Sequence, residues 1–377
     1  MAEIDDTLPN ETITDEAFVE QEVTVPNEEM EESSEGVEVT MDDEGGAQID
    51  FDPKAEGLES QDHFSNLAEI MEDKYLGELG STLFDQYTEY KESRADWENT
   101  YREGLELLGF KYERRTEPFR GASGVNHPVL AEAVTQFQAQ AYKELLPADG
   151  PVRAQILGDI SNEKQDQANR VKDFMNYQIM DQMPEYEPEF DQMLFYLPLS
   201  GSTFKKIYYD DLLGRAVSKF VPADDLIVPY SANSLEDAEA IVHVIRMSEN
   251  EIRKQQVSGF YKDVEVGNPP VTSNELKDTE LKLEGITKNS NQDQFNLLEM
   301  HVDLDLEGFE DMGQDGEPTG IKLPYIVTIL ESTNEILSIR RNYTEDDPLK
   351  EKIKYFVQFK FLPGTGFYGF GLIHMIG

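Results

Sequence analysis

The densest group of side chains that could ligate a metal ion lies in the segment HVDLDLEGFED, where four polar residues alternate with apolar ones: His301, Asp303, Asp305 and Glu307. Alternate side chains of a β-strand share one face, so these four would line one surface. A histidine with three carboxylates could bind a divalent cation, as in nucleases and hydrolases. The alternation is equally typical of a half-buried strand that binds nothing. A calcium-binding loop is disfavoured, because Glu307 replaces the usual Asp or Asn and Gln314 stands where the bidentate glutamate belongs.

A second candidate is the segment LPGTGFYGFG, in which Gly364, Gly366 and Gly369 match the G-x-G-x-x-G spacing of dinucleotide-binding loops. The spacing follows a predicted strand, as such a loop requires. However, the bulky Phe367 and Tyr368 occupy its variable positions. No acidic residue follows about twenty residues later to contact a ribose. We therefore interpret the segment as a glycine-rich aromatic turn.

The remaining residue types form no recognisable catalytic motif. The five histidines are scattered, without the HExxH spacing of zinc peptidases, and no GxSxG turn of a serine hydrolase occurs: His63, His127, His243, His301 and His374. The chain has no cysteine, which excludes disulfides, thiolate metal sites and cysteine nucleophiles. We expect no enzymatic activity, no catalytic, cofactor-binding or metal-binding residue, and no cofactor.

One loop, ERRTEPFRGASGVN at 113–126, is basic and carries Arg114, Arg115 and Arg120. These side chains could contact phosphate, but the loop lacks the glycine spacing and lysine of a phosphate-binding loop, which favours a connector. The chain as a whole is acidic, with 77 Asp and Glu against 32 Lys and Arg and a net charge of −45. This charge disfavours broad adhesion to nucleic acid. This charge is consistent with the wall of a channel through which DNA passes without being held. It is equally consistent with a protein whose acidity only keeps it soluble.

The patterning predicts an α+β fold with several subdomains. Residues 1–60 hold 21 acidic residues and one lysine, which predicts an acidic disordered arm. Residues 61–150 show helical spacing, with breaks expected at Gly77, Gly80 and Gly109 and a last helix from Pro128 to Leu145. No run approaches the roughly 18 apolar residues of a membrane span.

A mixed α/β region is predicted over 151–266. Its expected elements are a strand at 152–157, a helix from Ser161 to Met183, an apolar run at 190–199 after two prolines, a hairpin turning at 210–214, a strand from Ala240 and a helix capped by Ser248. The polar stretch 267–295 predicts a linker or long loop. Residues 296–377 predict antiparallel β-structure, with strands at 297–306, 321–330, 336–341 and 354–362.

Four stretches, in their order and spacing, resemble the portal proteins, or head-to-tail connectors, of tailed bacteriophages, and specifically the P22-like portal family. They are GASGVNHPVLAEAVTQFQAQAYKELLPADGPV, LPLSGSTFKKIYYDDLLGRAVSKFVPADDLIVPYSA, AIVHVIRMSENEIRK and YFVQFKFLPGTGFYGFGLIHMIG. The resemblance extends over 62–377 and does not include the acidic arm.

The resemblance implies a homo-oligomeric ring, usually of twelve subunits, at one capsid vertex of the virion. Terminase would drive double-stranded DNA in through the ring, tail adaptor proteins would bind it later, and the DNA would leave through it at infection. Contacts with capsid and scaffolding proteins, assembly in the host cytoplasm and no association with a membrane are also implied. The region 151–266 would correspond to a wing and 296–377 to a clip or wing. Because the family's stem helix and channel loop would follow Gly377, the chain is expected to be C-terminally truncated.

Two alternatives remain open from the residues alone. A metal-dependent nuclease or hydrolase would use Asp303, Asp305 and Glu307 with His301. A non-viral acidic scaffold protein would share the composition, but its gene would lack neighbours encoding a large terminase and a major capsid protein.

Overall fold

The chain divides into two units, 1–61 and 62–377. The computed structural model describes residues 38–41, 47–50, 63–108, 119, 128–158, 161–210, 213–267, 269, 279, 294–313, 317–364 and 366–376. In the first unit, β1 (Glu38–Met41) pairs antiparallel with β2 (Ala47–Asp50). This hairpin differs from the predicted disordered arm at those residues, because both segments alternate apolar and polar residues as paired strands do. The rest of the arm lies outside the described residues.

Two antiparallel sheets form the framework of the second unit. The five-stranded sheet has the order β5 (Leu226–Ile227), β6 (Ala240–Ser248), β7 (Gln294–Leu304), β8 (Leu323–Leu330) and β9 (Ile336–Arg341). The three-stranded sheet has the order β10 (Phe356–Lys360), β3 (Ser202–Asp210) and β4 (Arg215–Pro222). Asp210 pairs with Arg215, which confirms the predicted hairpin.

The described helices are α1 (Asp73–Ser93), α2 (Ala95–Glu106), α3 (Val129–Leu145), α4 (Asn162–Tyr177), α5 (Tyr186–Ser200), α6 (Glu249–Val257) and α7 (Leu372–Ile376). A single π-helical turn, Gln178–Gln182, continues α4. Side chains cap two of these helices as predicted: Ser161 accepts from the Lys164 amide, and Ser248 forms a capping box with Glu251. The α+β fold class is confirmed.

The prediction that Gly77 and Gly80 divide the first helix is wrong. Helix α1 runs through both glycines and ends only at Ser93. Gly80 lies where the helix meets the turn between β8 and β9, and a Cβ atom there would overlap the carbonyl of Asn334. A glycine inside a helix costs about 1 kcal/mol, which packing of the helix on the sheet offsets. The predicted stop at Gly109 lies outside the described residues.

The predicted strand at 152–157 is also wrong, because these residues form no strand and none of the described strands pairs with them. The amide of Val152 instead donates to the Asn176 side chain at 2.9 Å, and the same side chain donates to the Val152 carbonyl at 3.2 Å. The Asn176 side chain on α4 thus forms the backbone hydrogen bonds that a neighbouring strand would otherwise form with Val152. The other predicted strands are present, each within a few residues of its predicted bounds.

The sheets pack face to face between two helical layers. On one face of the five-stranded sheet, Leu83 and Tyr87 of α1 share a core with Met300 and Val327. Its opposite face meets the three-stranded sheet, whose outer face packs on α5. Both sheets combine strands from before and after 267–295. That stretch lies almost wholly outside the described residues, and the domain boundaries predicted there remain a prediction.

Candidate functional site

A close glycine contact joins two stretches that are far apart in sequence. Gly201 ends α5 with φ +85°, a left-handed conformation that favours glycine. A Cβ atom at this position would overlap the backbone of 369–371. The Gly201 carbonyl accepts from the Phe361 amide at 3.0 Å, and the Gly369 amide donates to Ser202 Oγ at 2.7 Å. These glycines therefore allow two backbones to touch.

The segment with dinucleotide-like spacing is filled by its own side chains. Phe367 and Tyr368 are buried, at 0% and 3% exposure. Phe367 stacks on Phe204 of β3, with ring centroids 5.9 Å apart, and Tyr368 stacks on Trp97 at 4.6 Å. The geometry thus supports an aromatic turn, which offers its backbone to the protein core and not to a nucleotide.

Arg94 is the most enclosed charge in the described chain, at 2% exposure, and it lies between α1 and α2. Its guanidinium donates to the backbone carbonyls of three residues at 2.7 to 3.0 Å: Ala223, Asp224 and Leu226. It also donates to the hydroxyl of Tyr368 at 3.0 Å and to Glu98 at 2.7 Å. One side chain thereby ties the helices, the loop before β5 and the aromatic turn together, with its donors satisfied as a buried charge requires.

A second ionic group, mostly shielded from water, lies between the two sheets. Lys206 of β3 donates to both carboxylate oxygens of Glu299 on β7, at 2.6 and 2.7 Å. His301 Nε2 lies 3.0 Å from Glu299 Oε1, whereas His243 Nδ1 lies 3.8 Å away, beyond hydrogen-bond distance. The rings of Phe356 and Tyr355 cover the histidines. We call Lys206, His243, Glu299 and His301 the intersheet cluster.

The intersheet cluster fixes its own protonation states. Burial opposes ionisation of Glu299, but the charge of Lys206 and the hydrogen bond to His301 outweigh it, so the pKa of this carboxyl lies well below its usual value. Burial lowers the pKa of His301 and keeps its ring neutral, although Glu299 favours the charged form. Lys206 engages both carboxylate oxygens of Glu299, so this carboxylate is bound to the neighbouring sheet. The cluster is an ionic joint between the sheets.

Lys205, the neighbour of Lys206, points to the opposite face of β3 because alternate residues of a strand face opposite ways. It is 4% exposed, and its ammonium lies 3.9 Å from the ring centroid of Tyr186 and 3.3 Å from Ser218 Oγ. Burial lowers the pKa of Lys205 to about 8. The sequence FKKIYY thus places adjacent lysines in two different cores.

The four polar residues of HVDLDLEGFED, considered above as a possible metal face, do not line one surface of a strand. Strand β7 ends at Leu304, so Asp305 and Glu307 lie beyond it and are exposed, as is Asp303. His301 is 2% exposed and turns inward to Glu299. Across the described residues, no three His, Asp or Glu side chains converge in a way that could hold a metal ion.

The histidines are less scattered in space than in sequence. His243 and His301 meet at Glu299, which sequence reasoning missed because they lie on different strands. His63 contacts the Tyr343 carbonyl, and His374 accepts from the Gly371 amide. His127 lies outside the described residues, as does the basic loop 113–126 apart from residue 119.

Within the described part of the chain, no helix is both long and apolar enough to cross a bilayer. No protein-family model matches the sequence. A search of curated proteins likewise finds no match.

Proposed function

We propose that this chain is a portal subunit of a tailed bacteriophage. It forms a homo-oligomeric ring at one capsid vertex, through which DNA is packaged and later ejected. Terminase, tail adaptors and capsid and scaffolding proteins are its partners in turn. The mixed region 151–266 acts as a wing, and 296–377 contributes a clip or wing.

The observation that carries the proposal is the packing of the four portal-like stretches on one another. Helix α3, from the first stretch, packs on α5, which leads into the second. Strand β3 of the second stretch pairs with β10 of the fourth, and β5 pairs with β6 of the third. Asp225 and Arg246 add a bidentate ion pair between the second and third stretches, at 2.5 and 2.9 Å. Each of the four stretches also contributes side chains to one shared hydrophobic core, and they are not four unrelated surface segments.

The charge of the chain supports the same proposal. A net charge of −45 gives passing DNA no broad electrostatic minimum in which to bind. Both buried ionic groups, around Arg94 and Glu299, tie separate elements together, as a subunit under mechanical load requires. Neither arrangement presents a free nucleophile or base to a substrate.

Genetics tests this proposal directly. The gene should lie beside genes for a large terminase and a major capsid protein, and its deletion should leave capsids that contain no DNA. Supplying the gene from a plasmid should restore filled particles. A gene without such neighbours would favour the acidic scaffold, and filled capsids after deletion would overturn the proposal.

A further inference from the structure

Helix α4 carries an apolar stripe on its exposed side. None of its side chains is buried. Val171, Phe174 and Met175 are 54%, 57% and 42% exposed. Residues at positions i, i+3 and i+4 lie side by side on a helix, so these three form one continuous surface, the α4 stripe. Helices in water gain most of their stability by packing such a surface against something else.

The stripe is exposed although the helix is held in place. Ala168, Lys172 and Asn176 repeat every four residues and are half-buried, so this adjoining side rests on the chain. Asn176 fixes it there through both of its hydrogen bonds to Val152. The orientation of the stripe is therefore a property of the fold and not of a detached segment.

The charge around the stripe differs from that of the chain. Helix α4 has three Lys or Arg and three Asp or Glu, so it is neutral within a chain of net charge −45. Lys164 and Arg170 precede members of the stripe by seven and four residues and border it. Glu163 also lies beside the stripe, eleven residues or about three turns before Phe174, whereas Asp166 and Asp173 lie seven residues apart on the far side. The stripe is thus an apolar surface whose border carries two cations and one acid, a net positive charge.

We propose that the α4 stripe is a contact between copies of this chain, in which it packs on the acidic exterior of a neighbouring copy. Two copies of net charge −45 repel one another over most of their surfaces. A neutral helix with a net positive border lacks this repulsion, and its cations can attract acidic residues of the neighbouring copy. This inference rests on the proposed function, because a ring requires each subunit to bind its neighbours through two different surfaces. The stripe supplies one of them.

The first test is a triple variant, Val171→Ser with Phe174→Ser and Met175→Ser, measured by sedimentation velocity over a range of concentrations. Because none of these side chains is buried, the circular dichroism and melting temperature should not change. We expect self-association to weaken by at least about tenfold, the scale of losing apolar contacts at an interface. A control variant, Val257→Ser with Leu349→Ser, alters residues that are 78% and 76% exposed elsewhere and should associate as the wild type does.

The second test identifies what covers the stripe. Phe174 is replaced by the photo-crosslinker p-benzoylphenylalanine, and ¹⁴N- and ¹⁵N-labelled protein are mixed while dilute, concentrated and irradiated. We expect crosslinked peptide pairs that carry one label of each kind. Pairs in which both peptides always carry the same label would show that the chain covers its own stripe, and would overturn the inference.

The outcomes of these tests distinguish failure of the stripe contact from failure of the proposed ring. If the wild type self-associates and the triple variant does so equally, the stripe is not the contact, while the ring proposal stands. If the wild type stays monomeric at every concentration, the inference fails together with the ring. High salt should weaken the wild-type association, because the net positive border is screened.

Discussion

Replacing Glu299 with glutamine should strongly destabilise the protein. The exchange keeps the shape of the side chain but leaves the Lys206 ammonium, whose side chain is only 14% exposed, without its counter-charge. Removal of one partner from a buried ion pair costs about 3 to 5 kcal/mol. Because the pair retains some contact with water, we expect a loss of about 3 kcal/mol in the free energy of unfolding.

The assay is urea unfolding at neutral pH with the whole chain, following tryptophan fluorescence and far-UV circular dichroism. The expected change is a lower midpoint at unchanged slope. Glu78→Gln is the control, since its ion pair with Lys74 spans 3.9 Å with both side chains mostly exposed, and it should leave the midpoint where it is. In the double variant Lys206→Met with Glu299→Gln, no unpaired charge remains, and most of the lost stability should return.

The pH dependence gives a sign test of the same cluster. The pKa of Glu299 is lower in the folded chain than its ordinary value of 4.5, so its ionised form contributes stability above that pH. This contribution is lost as the pH falls through the lowered pKa. The difference in the free energy of unfolding between the wild type and Glu299→Gln should therefore be largest at neutral pH and shrink as the pH falls below about 4.5. A gap under about 1 kcal/mol at pH 7, or one that does not change in acid, would refute the description of an ionic joint.

Three further predictions concern single residues. Gly201→Ala should lower the free energy of unfolding by more than about 2 kcal/mol, because strain at φ +85° adds to overlap with 369–371. Gly214→Ala, at φ +62° in open space, should lower it by the cost of the strain alone, and equal losses in urea unfolding would contradict the glycine contact. Arg94→Lys should lower the free energy of unfolding by about 3 kcal/mol, because one ammonium cannot replace the forked guanidinium among three carbonyls. Arg253→Lys at the surface should be tolerated, and similar melting temperatures for the two variants would disprove the role of Arg94. Lys205→Met should stabilise the protein at pH 7, because it removes a buried charge. Since the pKa of Lys205 in the folded chain is lowered to about 8, the stability of the wild type should rise relative to this variant between pH 8 and 10.5. A difference in stability that stays constant with pH would exclude the buried charge.

Local signals predicted much of the fold correctly. The caps at Ser161 and Ser248 and the hairpin near Asp210 depend on residues within a few positions of one another, and all three are present. The helical break at Gly80 was wrong because helix propensity was outweighed by a tertiary contact with Asn334.

The buried ionic groups could not be predicted in the same way. Lys206 and Glu299 are 93 residues apart, and each looks like an ordinary polar residue of a strand. Arg94 binds carbonyls about 130 residues away, and backbone carbonyls carry no side-chain signal in a sequence. One usable sign was the pair Lys205 and Lys206 directly after Phe204 in a strand, since lysines that are withdrawn from water on both faces of a strand need polar partners. Lys206 meets its counter-charge in Glu299, whereas the Lys205 ammonium lies against the Tyr186 ring and Ser218 Oγ.

The most direct test of the central claim is single-particle electron microscopy of the purified product of the natural gene. Class averages should show closed rings of identical subunits around an open channel, with rotational symmetry visible in end views. Images that contain only monomers, at every concentration up to that at which the protein is soluble, would contradict the proposal that this chain is a portal subunit.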